Sequence, residues 1–102
     1  TSNDILKGVT IAANGFYGPQ GRELRLPLAD LELNKKIELF NYNGAQITNF
    51  EMESSSLAGL SAMMGHRAMT VCCIIAGRVD KKMNTDYKES LPILIDKVLN
   101  RI

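Results

Sequence analysis

Residues 46–64, QITNFEMESSSLAGLSAMM, contain the change of pattern that decides the fold. Residues 46–50 predict a short strand, in which Ile47 and Thr48 are β-branched and Phe50 is aromatic. From Glu53 or Ser54 onward the apolar spacing becomes helical, carried by Leu57, Leu60, Ser61 and Met64. Glu51 and Glu53 lie where the predicted strand gives way to the predicted helix. Because burying a carboxylate is costly unless it is paired, these acids either cap the helix or face a ligand.

Two further strands are predicted, one on each side of this stretch. Residues 7–13 are β-branched and mostly apolar, and residues 68–76, AMTVCCIIA, form an apolar run typical of a strand covered on both faces. Residues 14–27 are punctuated by glycine and proline and predict a loop, as do the polar residues 77–86.

Two further helices complete the pattern. Residues 29–40 fit a helix ended by the turn residues 41–44, and the last segment is amphipathic, with Pro92 expected in its first turn. The small residues of the 54–64 helix predict close packing against a sheet or another helix. The order strand, helix, strand, helix, strand, helix argues for an α/β layered sheet with some parallel pairing. Three strands make a thin sheet, so we expect further strands from a segment outside these residues.

The composition sets the class of protein. A chain of 102 residues is one domain or less, and 45% hydrophobic and 23% charged residues are ordinary for a globular chain. A net charge of +1 favours neither nucleic acid nor an anionic membrane, and no apolar run approaches the roughly 20 residues of a membrane span. The adjacent Cys72 and Cys73 and the single His66 predict no metal site and a reducing, cytoplasmic location. The first residue is not methionine, so we expect a processed product or a piece of a longer chain.

The loop at residues 16–22, FYGPQGR, carries side chains suited to a pyrimidine. Gln20 and Arg22 flank Gly21, so in an extended backbone both side chains leave on the same side. The amide offers a donor and an acceptor to the edge of a uracil-like ring, and the guanidinium offers charged donors to a carbonyl oxygen. Phe16 could stack on the ring. The alternative is a polar surface loop with a solvated arginine, and composition alone favours that alternative.

The acidic junction suits a sugar. Glu51 and Glu53 lie two residues apart at the junction of strand and helix, so one can face a site while the other pairs or caps the helix. An ionised carboxylate can accept from two neighbouring ribose hydroxyls, and Met52 could cover the apolar face of the sugar. The alternative is a pair of helix-start acids beside a buried methionine. Arg78 follows the third predicted strand, where open α/β sheets place ligands, although a solvated arginine fits equally well.

Several of these segments together resemble a known family. Gly8-Val9-Thr10, Phe16-Tyr17 with Gln20-x-Arg22, residues 49–54 and residues 74–78 resemble, in order and spacing, the C-terminal part of the nucleoside phosphorylases that assemble as trimers or hexamers. The resemblance covers nearly the whole chain. The Glu-Met-Glu-Ser segment is shared with purine enzymes and nucleosidases, whereas Phe-Tyr-x-x-Gln-x-Arg points to the uridine branch.

The resemblance implies a fold and an activity. The fold is a three-layer α/β/α sandwich with a mixed sheet, of which residues 1–102 would be the C-terminal part of a single domain. The activity is phosphorolysis of uridine to uracil and ribose 1-phosphate, a pentosyl transfer of pyrimidine salvage with phosphate as co-substrate and no metal or organic cofactor. The family's phosphate site lies in an N-terminal segment, so we expect the 102 residues alone to be inactive. A neighbouring subunit completes each site in the family, which implies a homo-oligomer, a hexamer built from dimers.

On the base side, the resemblance implies that Gln20 and Arg22 hold the uracil edge with Phe16 against the ring. Arg78 would lie near the base pocket. Arg22 would act catalytically by stabilising the negative charge of the departing uracil more than neutral uridine. Purine phosphorylases of the family carry an acid where this chain has Gly77, and the difference favours a pyrimidine.

On the sugar side, the resemblance implies that Met52 and Glu53 hold the ribose. Glu53 would bind the sugar hydroxyls and so fix the direction from which phosphate attacks, a catalytic role. Glu51 would be an accessory sugar-side or helix-start residue. Two other functions stay open: a nucleosidase in which water replaces phosphate, which the Gln20-x-Arg22 loop disfavours, and a non-catalytic nucleoside-binding or structural fragment.

Overall fold

The computed structural model describes residues 5–77 and 82–102. Its helices and strands fall into two compact units, Thr1–Ala68 and Met69–Ile102. The first unit contains β1 (Val9–Ala12), α1 (Leu33–Leu39), β2 (Ile47–Glu51) and α2 (Ser54–Met63), and the second contains α3 (Tyr87–Leu99). Within the described residues the chain is thus a small α/β protein, as its pattern predicts.

The sheet of the first unit is a parallel pair of β1 and β2. The register pairs Val9 with Ile47, Thr10 with Asn49, Ile11 with Phe50 and Ala12 with Glu51. The Thr10 hydroxyl donates to Oδ1 of Asn49 at 2.8 Å, a cross-strand hydrogen bond that supports this register. Because the strands run in the same direction, their carboxyl ends lie at one edge of the sheet. The predicted parallel pairing is confirmed for these two strands.

The predicted helix over residues 54–64 is confirmed as α2. The helix ends at Met63 and is followed by Met64 and by Gly65, whose φ of 75° is left-handed. The Gly65 N–H donates to the Ala62 carbonyl and the His66 N–H to the Ser61 carbonyl, the pair of bonds that closes a Schellman motif. The predicted helix over residues 29–40 is also present but shorter, because Asp30 forms a turn in which its carboxylate accepts the Glu32 N–H at 3.0 Å.

The close packing predicted for α2 is not observed. Its small residues lie exposed, and among the described residues no atom comes within 4 Å of a methyl group built on Gly59. The apolar side chains Leu57 and Leu60 are also more than half exposed. A two-stranded sheet is too narrow to cover a helix face, which explains why the small residues of α2 find no partner here.

The strand predicted over residues 68–76 is wrong for this chain. Within the described part of the second unit, this apolar run forms a single antiparallel bridge, between Ala76 and Met83. Ile74 and Ile75 are exposed rather than covered on both faces. A strand needs a neighbour that supplies a full ladder of hydrogen bonds, and the apolar character of the run does not provide one.

The final amphipathic helix is confirmed as α3, but Pro92 lies inside the helix rather than in its first turn. The helix begins early because the Asp86 carbonyl accepts the N–H groups of Glu89, at 2.9 Å, and Ser90, at 3.1 Å. Among the described helices, none combines the length and the hydropathy that crossing a bilayer requires.

Burial is shallow. Among the described residues Ala13 is the one buried hydrophobic residue, and Gln20 is buried as a polar residue. Large hydrophobic side chains are exposed in both units, among them Leu6 at 88% and Ile102 at 91%. Most apolar side chains therefore lie at the surface of the two units.

Candidate functional site

Both candidate segments leave the sheet at the same edge. The Ala13 N–H donates to the Glu51 carbonyl at 2.9 Å, so β1 and β2 end side by side. The loop of residues 14–22 continues from β1, and Met52 and Glu53 continue from β2. The carboxyl edge is where open α/β sheets bind ligands, so the topology gives the base-side and sugar-side candidates a common starting point.

The backbone of the first segment is a turn. Gly18–Gln20 forms one turn of 3-10 helix that ends at Gly21, whose φ of 77° is left-handed. The Tyr17 carbonyl accepts the N–H groups of Gln20, at 3.1 Å, and Arg22, at 2.9 Å. The extended backbone assumed for Gln20 and Arg22 is therefore wrong, because the proline in the 3-10 turn and the left-handed Gly21 favour a compact turn.

The turn nevertheless brings the three base-side candidates together. Nη1 of Arg22 donates to Oε1 of Gln20 at 2.7 Å and to the Phe16 carbonyl at 2.6 Å. The guanidinium carbon lies 4.0 Å from the centroid of the Phe16 ring, within the range of a cation–π contact. We call Phe16, Gln20 and Arg22 the base-side cluster.

Charge and burial give the base-side cluster a definite polarity. Arginine has donors only, so the oxygen of the Gln20 amide faces Arg22 and its NH₂ group points away from the guanidinium. Gln20 is 5% exposed whereas Phe16 is 51% exposed. The cluster thus combines a half-exposed aromatic ring, a buried amide and a positive charge around one glycine.

A fourth residue supports the turn and was missed by the sequence analysis. Nδ2 of Asn34, in α1, donates to the Gly21 carbonyl at 3.0 Å. No local signal distinguishes an asparagine near the start of a helix from an ordinary surface residue, so this contact is visible only in three dimensions.

Glu51 is bound to the start of α2. Its Oε2 accepts the N–H groups of Glu53, at 2.8 Å, and Ser54, at 2.7 Å, and its Oε1 accepts the Ser54 hydroxyl. The hydroxyl of Ser54, followed by these backbone N–H groups, holds the pKa of Glu51 below its ordinary value against the opposing effect of desolvation. Glu51 therefore stays ionised. Its carboxylate accepts the N–H groups of Glu53 and Ser54, which have no partner within the helix.

Glu53 and Met52 are more open. Glu53 is the residue before the first turn of α2, and its side chain makes no capping bond to that helix. Its Oε2 accepts the Met52 N–H at 3.2 Å. Met52 is 43% exposed, so the alternative of a buried methionine beside two helix-start acids does not hold for Met52. An exposed carboxylate beside an exposed thioether remains at the sheet edge.

The remaining candidates add little to this site. Arg78 lies outside the described residues. In the described ranges no group of three or more His, Cys, Asp or Glu side chains is arranged to hold a metal ion, and Cys72 and Cys73 are free thiols. An open groove of about 540 Å³ runs along residues 17–33 and includes Arg22 in its lining.

Two curated proteins are similar to this chain. Uridine phosphorylase from Thermococcus kodakarensis is 36% identical over 78 residues, which are 71% of this chain and 25% of the relative. Uridine phosphorylase A from Schistosoma mansoni is 34% identical over 79 residues, which are 74% of this chain and 26% of the relative. The chain thus spans about a quarter of the length of these relatives. No family model matches the chain, and no solved structure matches it significantly. The similarity supports the resemblance to nucleoside phosphorylases over the matched stretch.

Proposed function

We propose that this chain supplies the base and ribose subsites of an enzyme that cleaves uridine by phosphorolysis, giving uracil and ribose 1-phosphate. The observation that carries the proposal is the base-side cluster, in which Arg22 contacts both Gln20 and Phe16 at the carboxyl edge of the sheet. The two relatives, both named uridine phosphorylase, support the same activity.

The cluster fits the edge of a pyrimidine. In this proposal the Gln20 amide, which carries both a donor and an acceptor group, meets the carbonyl and N–H edge of the ring beside Arg22. Phe16 is half exposed and offers its ring for stacking on the base. In this proposal Arg78 adds a second cation near the base.

The reaction separates charge, and the positive charge of Arg22 in the base-side cluster is suited to stabilise the negative charge that develops on the uracil. A phosphate oxygen forms a bond to C1′ of the ribose while the C1′–N1 bond breaks and its electron pair leaves with the uracil. The departing ring gains negative charge in the transition state. Arg22 stabilises that charge more than it stabilises neutral uridine, which lowers the barrier. Phosphate is the co-substrate, and these residues act without a metal or organic cofactor.

The acidic segment fits the ribose. Glu53 has an exposed carboxylate whose oxygens can accept the 2′ and 3′ hydroxyls, and Met52 covers the apolar face of the sugar. Fixing the sugar also fixes the face of C1′ that phosphate reaches. Glu51 serves the ribose side from the helix start, since its carboxylate holds the Glu53 and Ser54 backbone.

The proposal includes polypeptide beyond this chain. The phosphate-binding groups come from an N-terminal segment of the same domain, which also completes a three-layer α/β/α sandwich with a mixed sheet. Leu57 and Leu60 of α2 are more than half exposed, and this supports a further layer that would cover them. The full assembly is a homo-oligomer, a hexamer built from dimers, and the 102 residues alone are inactive.

An assay of the intact protein, with the N-terminal segment present, tests the proposal. Uracil release from uridine is measured with and without phosphate, and inosine serves as a purine control. We expect release that requires phosphate and little cleavage of inosine. Release without phosphate would identify a hydrolase instead, and uridine binding without turnover would identify a non-catalytic nucleoside-binding protein.

A further inference from the structure

The peptide that joins Gly21 to Arg22 is held on both sides. Its carbonyl accepts from Nδ2 of Asn34 at 3.0 Å, and its N–H donates to the Tyr17 carbonyl at 2.9 Å. The plane of this peptide sets ψ of Gly21 and φ of Arg22. The two hydrogen bonds therefore fix the direction in which the Arg22 side chain leaves the backbone.

Asn34 also lies unusually close to the turn. A methyl group built on Gly21 would lie 2.1 Å from Oδ1 of Asn34 and 2.9 Å from its amide carbon. Gly21 is left-handed, with φ of 77°, so it is required both by its backbone conformation and by the space that Asn34 occupies. The turn and the second residue of α1 fit against each other.

We propose that Asn34 is a positioning residue of the base site, an inference that rests on the proposed function. It acts through a contact chain of two hydrogen bonds joined by one peptide. Asn34 donates to the Gly21 carbonyl, the Gly21–Arg22 peptide sets the direction of the Arg22 side chain, and Arg22 donates to Oε1 of Gln20. Asn34 thereby determines how well the cluster meets the carbonyl and N–H edge of a pyrimidine, without touching the substrate itself.

A positioning role differs from a general structural role because both flanking elements have supports of their own. The start of α1 is held by Asp30, which accepts from Nζ of Lys36 at 2.6 Å. The turn keeps the bond from the Gly21 N–H to the Gly18 carbonyl at 2.8 Å. Removal of the Asn34 amide should therefore leave both elements folded and remove one of the two hydrogen bonds that hold the Gly21–Arg22 peptide.

Asn34→Ala and Asn34→Asp in the intact protein test this role, the second because an ionised Asp has nearly the same shape but cannot donate. Loss of one hydrogen bond should lower kcat/KM for uridine about fivefold in each. Asn41→Ala is the matched control, since Asn41 accepts the Gly44 N–H at 2.9 Å in the turn before β2. That variant should keep the wild-type value.

The decisive measurement repeats Asn34→Ala in an Arg22→Ala background. A positioning residue that acts through Arg22 should then change kcat/KM by less than about twofold, because contacting residues of one network are not additive. The same fivefold loss in both backgrounds would overturn the role, and so would an unchanged value in the Asn34→Ala single variant.

Amide hydrogen exchange gives a second readout that does not depend on the substrate. In Asn34→Ala the Arg22 N–H should exchange about tenfold faster than in the wild type, because the hydrogen bond from this N–H to the Tyr17 carbonyl opens more easily. In Asn41→Ala the Arg22 N–H should exchange at the wild-type rate. If the wild-type protein does not cleave uridine, the proposed function fails, whereas faster exchange still supports the contact chain. Equal exchange in the wild type and Asn34→Ala would overturn it.

Discussion

Nη1 of Arg22 donates to Oε1 of Gln20 over 2.7 Å, although only Gly21 separates the two residues along the chain. Because Gln20 is buried and arginine cannot accept, this contact sets the orientation of the glutamine amide. In the proposed function Gln20 and Arg22 therefore act together on the base, and the effects of changing each should not add.

Arg22→Ala should reduce kcat for uridine phosphorolysis by about 100-fold, because it removes the charge that stabilises the leaving uracil in the proposed mechanism. The helical circular dichroism should not change, since Arg22 belongs to no helix or strand. Arg25→Ala, three residues further on at an exposed position, is the control and should retain full activity. Equal activity in wild type and Arg22→Ala would remove Arg22 from the site.

Glu53→Gln should lower kcat/KM for uridine by about 10- to 100-fold, since hydrogen bonds to a charged group are among the strongest. The same change should matter little with 2′,3′-dideoxyuridine, which lacks both hydroxyls. Steady-state kinetics with the two nucleosides measures the difference. A similar loss with both would show that Glu53 does not act through the sugar hydroxyls.

The start of α2 should loosen in acid. Hydrogen bonds from Ser54 and from the backbone lower the folded pKa of Glu51, so its stabilising effect is present above the unfolded pKa and is lost as pH falls through the folded value. Exchange at the Ser54 N–H, corrected for the intrinsic effect of pH, should therefore rise as pH falls below the ordinary pKa of a glutamate and through the lowered pKa of folded Glu51. Glu51→Gln should remove most of this pH dependence, and an unchanged profile in that variant would contradict the assignment.

Gly59→Ala should test whether α2 is covered in the intact protein. In the 102-residue chain the added methyl group meets open space among the described residues, so helix propensity should dominate and stabilise α2 by about 1 kcal/mol. In the intact protein a layer packed on this face should make the same change destabilising. Circular dichroism of the chain and urea unfolding of the intact protein measure the two signs.

Gly65→Ala is the control for that comparison, because φ of 75° at Gly65 makes any side chain unfavourable in both settings. If Gly59→Ala stabilises the intact protein as well, the small residues of α2 do not mediate close packing.

Local patterns were enough to predict α2, and they also located β1 and β2, whose pairing joins residues 39 apart in the sequence. The apolar run over residues 68–76 shows the limit: its composition is that of a strand, but strand formation depends on a partner that composition does not specify. The final helix was predicted correctly in type, while its start was set by the Asp86 carbonyl and so placed Pro92 in the interior.

The sequence indicated which side-chain types form the candidate site, but it did not indicate how the backbone arranges them. The side-chain types of Phe16, Gln20 and Arg22 indicated their grouping, but the left-handed Gly21 that turns the backbone was not anticipated. The hydrogen bonds that Glu51 accepts from the start of α2 match the first of the two alternatives for this acid, capping of the helix rather than contact with a ligand. Asn34 lies 13 residues beyond Gly21, and no short-range pattern reveals a contact at that separation.

The parallel ladder has a consequence for the order of folding. Thr10 and Asn49, which share a cross-strand hydrogen bond, are 39 residues apart, so the chain must close a long loop before β1 and β2 can pair. The bonds between Glu51 and Ser54 span three residues and close much faster. The acidic segment should thus acquire its local shape while β1 is still unpaired, and late docking of β1 should limit the rate at which the sheet edge assembles.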